Sequence, residues 1–87
     1  MTSRPVRITN PLGLHARAAA RFVHAAGAFA SQVCVAFGPR VMDGKSIMGL
    51  LLLAAAQGSE ILISAEGPDE REAVEALCQL VVRGFDS

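Results

Sequence analysis

Apolar residues recur at every second position in four short stretches and at every third or fourth in three others, and this change of period divides the chain. Arg4-Pro5-Val6-Arg7-Ile8-Thr9 puts Val6 and Ile8 on one face and predicts a strand over 4–9. Asn10-Pro11-Leu12-Gly13 predicts a turn, because proline fixes φ and glycine accepts conformations that other residues avoid. Ala16 to Ala26 is alanine-rich, with Ala19, Phe22, Val23 and Ala26 at helical spacing, and predicts a helix stopped near Gly27. Gln32 to Phe37 alternates, with Val33, Val35 and Phe37 on one side and Cys34 and Ala36 on the other. Gly38-Pro39 then turns the chain into a strand at 40–42, completing a hairpin.

Asp43-Gly44 precedes a second helix spanning 46–54. Glu60 to Glu66 reads as a strand with Ile61, Ile63 and Ala65 inward. After Gly67-Pro68, Asp69 with Glu72 three residues on forms a capping-box pair at the start of a third helix. Ala73, Val74, Leu77, Leu80 and Val81 make its apolar stripe, opposite Glu75, Gln79 and Arg83. The order β-α-β-β-α-β-α, without repeat or linker, predicts one α+β domain over 1–87: an antiparallel sheet, helices on one face, the other face open. An 87-residue chain can bury only roughly 60–65% of its unfolded surface, which leaves no room for a deep enclosed pocket.

Charge changes the picture only when it is read by halves. Eight basic and eight acidic residues cancel overall, which disfavours a dedicated nucleic-acid binder, and four Phe are the only aromatics available to stack on bases. Yet residues 1–45 carry six basic groups against Asp43, while 46–87 carry seven acidic groups against Arg71 and Arg83. The basic half suits an acidic partner or an anionic group. Cys34 and Cys78 stand far apart in sequence with no metal-ligand spacing around them, and two reduced thiols are expected. No signal-like apolar stretch follows Met1, and the apolar run 47–56 is too short to span a bilayer. A soluble cytoplasmic protein is expected, with no metal or cofactor and no membrane partner.

The chemistry concentrates at Gly13-Leu14-His15-Ala16-Arg17-Ala18, where a histidine stands at a helix start. The orphan N–H groups of Ala16, Arg17 and Ala18 favour an anion there. Arg17 brings a guanidinium able to clamp phosphate oxygens. The positive end of the helix dipole and Arg17 both favour a neutral, nucleophilic imidazole. Such an imidazole can accept a phosphoryl group and hold the dianion that results.

Gly-Leu-His-Ala-Arg at 13–17, Lys-Ser-Ile-Met-Gly at 45–49, Gln-Gly-Ser-Glu-Ile at 57–61 and Ile-Ser-Ala-Glu-Gly at 63–67 stand in register along almost the whole chain. In these segments the sequence resembles the HPr family, the histidine phosphocarriers of the bacterial phosphoenolpyruvate:sugar phosphotransferase system, and its nitrogen-branch relatives. The resemblance implies an open-faced sandwich of four antiparallel strands with three helices on one side. It implies that His15 is phosphorylated on Nδ1 by enzyme I and passes the group to an enzyme IIA domain, sugar-specific or nitrogen-type. The family usually has Pro after the active-site Arg; Ala18 stands here and keeps an N–H donor that proline lacks. Asn10, Leu12 and the ending Gly84-Phe85-Asp86 lean towards the nitrogen-branch relatives.

Ser46 has two readings. It is a good N-cap for the apolar segment behind it. Within Lys45-Ser46-Ile47-Met48-Gly49 it also resembles the regulatory serine of family members controlled by an HPr kinase/phosphorylase, and a phosphate at a helix start is electrostatically tolerated. The second helix is apolar nearly all round: Leu50, Leu53 and Ala54 fall on one side, Met48, Leu51 and Leu52 on the other. The resemblance implies a docking patch of Ile47, Met48 and Leu51, joined by Leu12, Arg21 and His24 around His15. His24 lies half a turn from His15 at helical spacing, so the two do not share a metal. The leading expectation is a monomeric phosphoryl carrier rather than an enzyme with its own substrate pocket. The alternative is a regulatory adaptor whose phosphorylation state controls protein binding.

Overall fold

The structure is a computed structural model that describes residues 1–86; Ser87, the last residue of the expected domain, lies outside the described residues. Four strands form one antiparallel sheet: β1 (Thr2–Arg7), β2 (Gln32–Phe37), β3 (Arg40–Asp43) and β4 (Glu60–Glu66), in the spatial order β1-β4-β2-β3. Three helices, α1 (Ala16–Ala26), α2 (Ile47–Leu53) and α3 (Glu70–Val82), complete the order read from the sequence. A short 3-10 turn at Gly84–Asp86, which the periodicity does not signal, follows α3.

Period two sets the sheet's two faces. Val33, Val35, Ile61, Ile63 and Ala65 are buried against the helices, whereas Cys34, Leu62 and Gln32 face away. Register places Val35 opposite Ile63 and Val33 opposite Ala65, so the inward residues of β2 and β4 meet across the ladder. Phe22 and Ala19 of α1, Leu50 and Leu53 of α2, and Val74, Leu77 and Val81 of α3 close the core over this face. Each fully buried Leu, Ile or Phe contributes about 1.5–3 kcal/mol relative to remaining exposed, so these helix stripes, not helix propensity alone, hold the layers together.

β1 occupies Thr2–Arg7 rather than 4–9. Thr2-Ser3-Arg4-Pro5 carries no apolar alternation, and its strand character comes from pairing with β4, Thr2 opposite Ala65 through Arg7 opposite Glu60. Pro5 is accommodated because β1 is an edge strand. Beyond it, Ile8 keeps two bonds to the chain ahead of β4: its N–H donates to the Ser59 carbonyl, and its carbonyl accepts from Gly58 N–H.

The ends of the helices depart from expectation in three places. Ala54, expected on the buried side of α2, is exposed: it is the C-cap, at φ 53 in the left-handed region, and Ala55 is buried in its stead. Gly27 ends α1 in a right-handed conformation (φ −64), and the turn runs on through Ala28 and Phe29 N–H groups. The capping box of α3 is absent. Asp69 is the N-cap residue without a side-chain cap bond. Its carboxylate instead accepts from Ala30 N–H (2.9 Å), Ser31 N–H (3.0 Å) and the Ser31 hydroxyl (2.5 Å), tying α3 to the loop after α1. The long-range donors satisfy the same carboxylate more fully than a local amide, and its ionised form is favoured by these bonds.

Candidate functional site

The chain enters the site through a tight turn. Gly13 N–H donates to the Asn10 carbonyl (3.1 Å), closing Asn10-Pro11-Leu12-Gly13, and Leu14 N–H donates to the Ala55 carbonyl (2.9 Å). Gly13 sits at φ 65, where a Cβ would stand 2.6 Å from the Ala55 oxygen and 2.8 Å from Ala56 Cα. Both the positive φ and the close main-chain approach demand glycine. The result is that His15 is anchored on the segment that leaves α2, while its own carbonyl accepts the first α1 bond from Ala19 N–H (2.8 Å).

His15 is itself the N-cap of α1, in an extended conformation (φ −81, ψ 179). Its Nδ1 accepts from Arg17 N–H at 3.2 Å, the bond that a serine or aspartate oxygen makes at other helix starts. An accepting Nδ1 carries a lone pair, and here the pair is directed at the helix N-terminal amides. The ring is half-buried, Ala16 and Arg17 are exposed, and Ala18 is fully buried. Ala16 and Arg17 thus lie at the surface beside the imidazole, the Arg17 amide engaged by the ring, while Ala18 lies beneath the surface. The Arg17 guanidinium makes no ion pair or side-chain hydrogen bond among the described residues.

A shallow groove runs along α1 from Arg17 past Arg21 and His24 to Arg83 and Asp86. Arg21 is held there by the chain end, its Nη1 donating to the carbonyls of Phe85 (3.2 Å) and Asp86 (3.3 Å). Arg83 pairs with Asp86 at 2.9 Å. Arg17, Arg21, His24 and Arg83 against one carboxylate make this side basic, as the charge of the first half of the chain suggests. Acidic groups of the second half are engaged elsewhere: Glu75 with Arg4 at 2.7 Å, and Glu70 with the Thr2 hydroxyl and the terminal ammonium.

Ser46 is the N-cap of α2; its Oγ accepts from Gly49 N–H at 3.0 Å. Because the His15 turn rests on Ala55 and Ala56, beyond the C-terminal end of α2, Ser46 stands at the other end of a seven-residue helix, about 10 Å along its axis. Leu50 and Leu53 are buried, while Met48 is 67%, Leu52 55% and Ile47 43% exposed. Leu51 is half-buried against the core, so the apolar surface of α2 is carried by Ile47, Met48 and Leu52. Leu12, at the tip of the His15 turn, is 76% exposed and adds to the apolar surface of this region. Helical spacing already turns Leu52 outward with Met48, but the docking patch implied by the resemblance leaves it out.

No group of three or more His, Cys, Asp or Glu among the described residues is placed to hold a metal ion, and no described helix is long and apolar enough to cross a membrane. Cys34 is exposed on the open face of the sheet; Cys78 is buried in α3, where burial pushes its thiol pKa up.

Residues 2–83 match the family model described as the PTS HPr component phosphorylation site. The chain is 47% identical over 85 residues to the phosphocarrier protein HPr of Cupriavidus necator, covering 98% of this chain and 96% of that protein. It is 45% identical over 87 residues to the phosphocarrier protein HPr of Pseudomonas putida, covering 99% and 97%. Among solved structures, HPr-C-His from Thermoanaerobacter tengcongensis superposes with a TM-score of 0.95 at 42% identity, covering 100% of this chain and 98% of that one.

Proposed function

This chain belongs to the HPr family of phosphocarrier proteins of the phosphotransferase system, and from that premise we propose that His15 Nδ1 is the atom that carries the phosphoryl group. The observation that supports this most directly is the 3.2 Å bond from Arg17 N–H to Nδ1. It shows an unprotonated Nδ1 whose lone pair is directed at the amides at the head of α1. In the transfer step this pair attacks the phosphorus of a phosphoryl group held by enzyme I; the new Nδ1–P bond forms as the bond to the donor breaks. Arg17 N–H then loses its ring acceptor and becomes available to a phosphoryl oxygen, with Ala16 N–H beside it. The Arg17 guanidinium adds a charge-assisted donor. Passing the group on to an enzyme IIA domain reverses these events, and the shallow, exposed site suits a brief encounter with one macromolecule after another.

The apolar surface of Ile47, Met48 and Leu52 with Leu12, beside the basic groove of Arg17, Arg21 and His24, serves as the docking face for both partners. Phosphorylation of Ser46 by an HPr kinase/phosphorylase regulates that encounter. At about 10 Å along α2 from the end that carries the His15 turn, a phosphate there acts on the partner's approach rather than on the imidazole. The carrier works as a monomer in the cytoplasm.

Incubation of the protein with phosphoenolpyruvate and enzyme I yields acid-labile phosphate, and His15→Ala removes it while the circular dichroism spectrum stays that of the wild type. Acid-labile phosphate retained by His15→Ala overturns the assignment.

A further inference from the structure

A buried carboxamide stands five residues before His15 and is satisfied on one side only. Asn10 is 6% exposed; its Nδ2 donates to the Gly13 carbonyl at 2.8 Å, whereas its Oδ1 is buried with no partner among the described residues. An oxygen buried without a donor works against folding. A space-filling role here is better met by an apolar side chain, so the carboxamide is to be explained by what its nitrogen holds.

What it holds is one peptide group. The Gly13–Leu14 peptide gives its oxygen to Asn10 Nδ2 and its N–H to the Ala55 carbonyl (2.9 Å). Its α-carbon lies against the Ala55–Ala56 main chain, too close to admit a Cβ. The Asn10 carbonyl also takes Gly13 N–H. Oxygen, nitrogen and α-carbon of the peptide that precedes Leu14 and His15 are thus each restrained. Between this clamp and His15 stands only Leu14, whose side chain is buried. The orientation of the imidazole is inherited from the clamp on one side and the helix on the other.

We propose that Asn10 is a positioning residue for His15: by fixing the Gly13 carbonyl it holds Nδ1 over the Arg17 amide, in the orientation that meets an incoming phosphoryl group. The catalytic consequence rests on the phosphocarrier reading of His15; the clamp itself does not. Without the carboxamide the Gly13–Leu14 peptide loses one of its restraints and rotates, and the ring moves away from the helix start. Asn10→Asp keeps the shape and removes the donor. Asn10→Ala removes the donor and the unpaired oxygen together, so that folding and positioning are affected separately.

Both variants are compared with wild type by thermal melting, by the nitrogen-15 signal of His15 Nδ1 with the Arg17 amide signal, and by the rate of phosphoryl transfer from phosphorylated enzyme I. The expected result is a folded Asn10→Ala protein whose His15 and Arg17 signals are displaced and whose transfer rate falls at least about tenfold, a loss typical of ångström-scale misplacement of a reacting group. Unmoved signals with a wild-type rate in folded Asn10→Ala overturn the proposal, as does a rate loss that only matches the loss of folded protein. If Asn10→Asp does not fold, Asn10→Ala decides alone. Failure of the wild type to take phosphate from enzyme I counts against the phosphocarrier reading, and the nitrogen-15 and amide signals then still decide the clamp.

Discussion

Replacing Gly13 by alanine perturbs the site's foundation in two separable ways. At φ 65 any residue with a Cβ meets a cost of about 1–2 kcal/mol for the left-handed conformation. The added carbon also arrives 2.6 Å from the Ala55 oxygen and 2.8 Å from Ala56 Cα, both main-chain atoms that cannot swing aside as a side-chain end does. Relieving that contact moves the carbonyl that accepts from Leu14 N–H, adding about 1–3 kcal/mol as in other overpacked sites. The total is about 2–5 kcal/mol, and each kcal/mol lowers the melting midpoint of a domain this size by about 4–8 °C. Gly38 supplies the control: it has φ 60 and nothing within 4 Å of its would-be Cβ, so Gly38→Ala carries the conformational cost alone. Urea titrations of the two variants measure the contact contribution as their difference, about 1–3 kcal/mol. Equal destabilisation of Gly13→Ala and Gly38→Ala refutes the close-approach reasoning.

Arg17→Glu replaces an exposed cation two residues from His15 by a carboxylate, and slows phosphoryl transfer to His15 by about ten- to hundredfold, the equivalent of about 1–3 kcal/mol; unchanged rates show that the backbone amides suffice. Ser46→Asp keeps an oxygen able to cap Gly49 N–H, so circular dichroism and melting midpoint stay near wild type while enzyme I phosphorylates His15 more slowly; equal rates at low salt, where screening is weakest, count against the docking role. Glu70 is held at a pKa of about 2, below the usual 4.5, first by the Thr2 hydroxyl, then by Gly67 N–H and the terminal ammonium. A carboxylate depressed in the folded state stabilises it above the unfolded value, and that stability is lost as pH falls from 4.5 towards 2. Glu70→Gln therefore flattens the fall in melting midpoint across that window, and an acid profile identical to wild type contradicts the assignment.

Much of this architecture is written in short-range patterns. Alternation of Val33, Val35, Ile61, Ile63 and Ala65 specifies which sheet face is buried, because a one-residue slip would turn every one of them to solvent. The 3.6-residue stripe of α3 likewise selects its buried side; Ser46 marks a helix start by its type and the alanine-rich run from Ala16 marks another. The place of the phosphoryl chemistry is legible for the same reason: a histidine, the first-turn amides and Arg17 are neighbours along the chain.

What the chain folds against itself was decided only in three dimensions. β1 begins at Thr2 because β4 offers a partner for residues that carry no strand pattern of their own. The Asp69 carboxylate leaves its local helix for Ser31, thirty-eight positions away, because three donors converge there. Asn10 reads as an ordinary turn residue until its carboxamide and the Ala55 carbonyl are seen to grip one peptide from opposite ends. Periodicity reports only the face a residue turns to the core. Which distant backbone group completes a hydrogen bond depends on how sheet and helices pack, and no window of neighbouring residues contains that information.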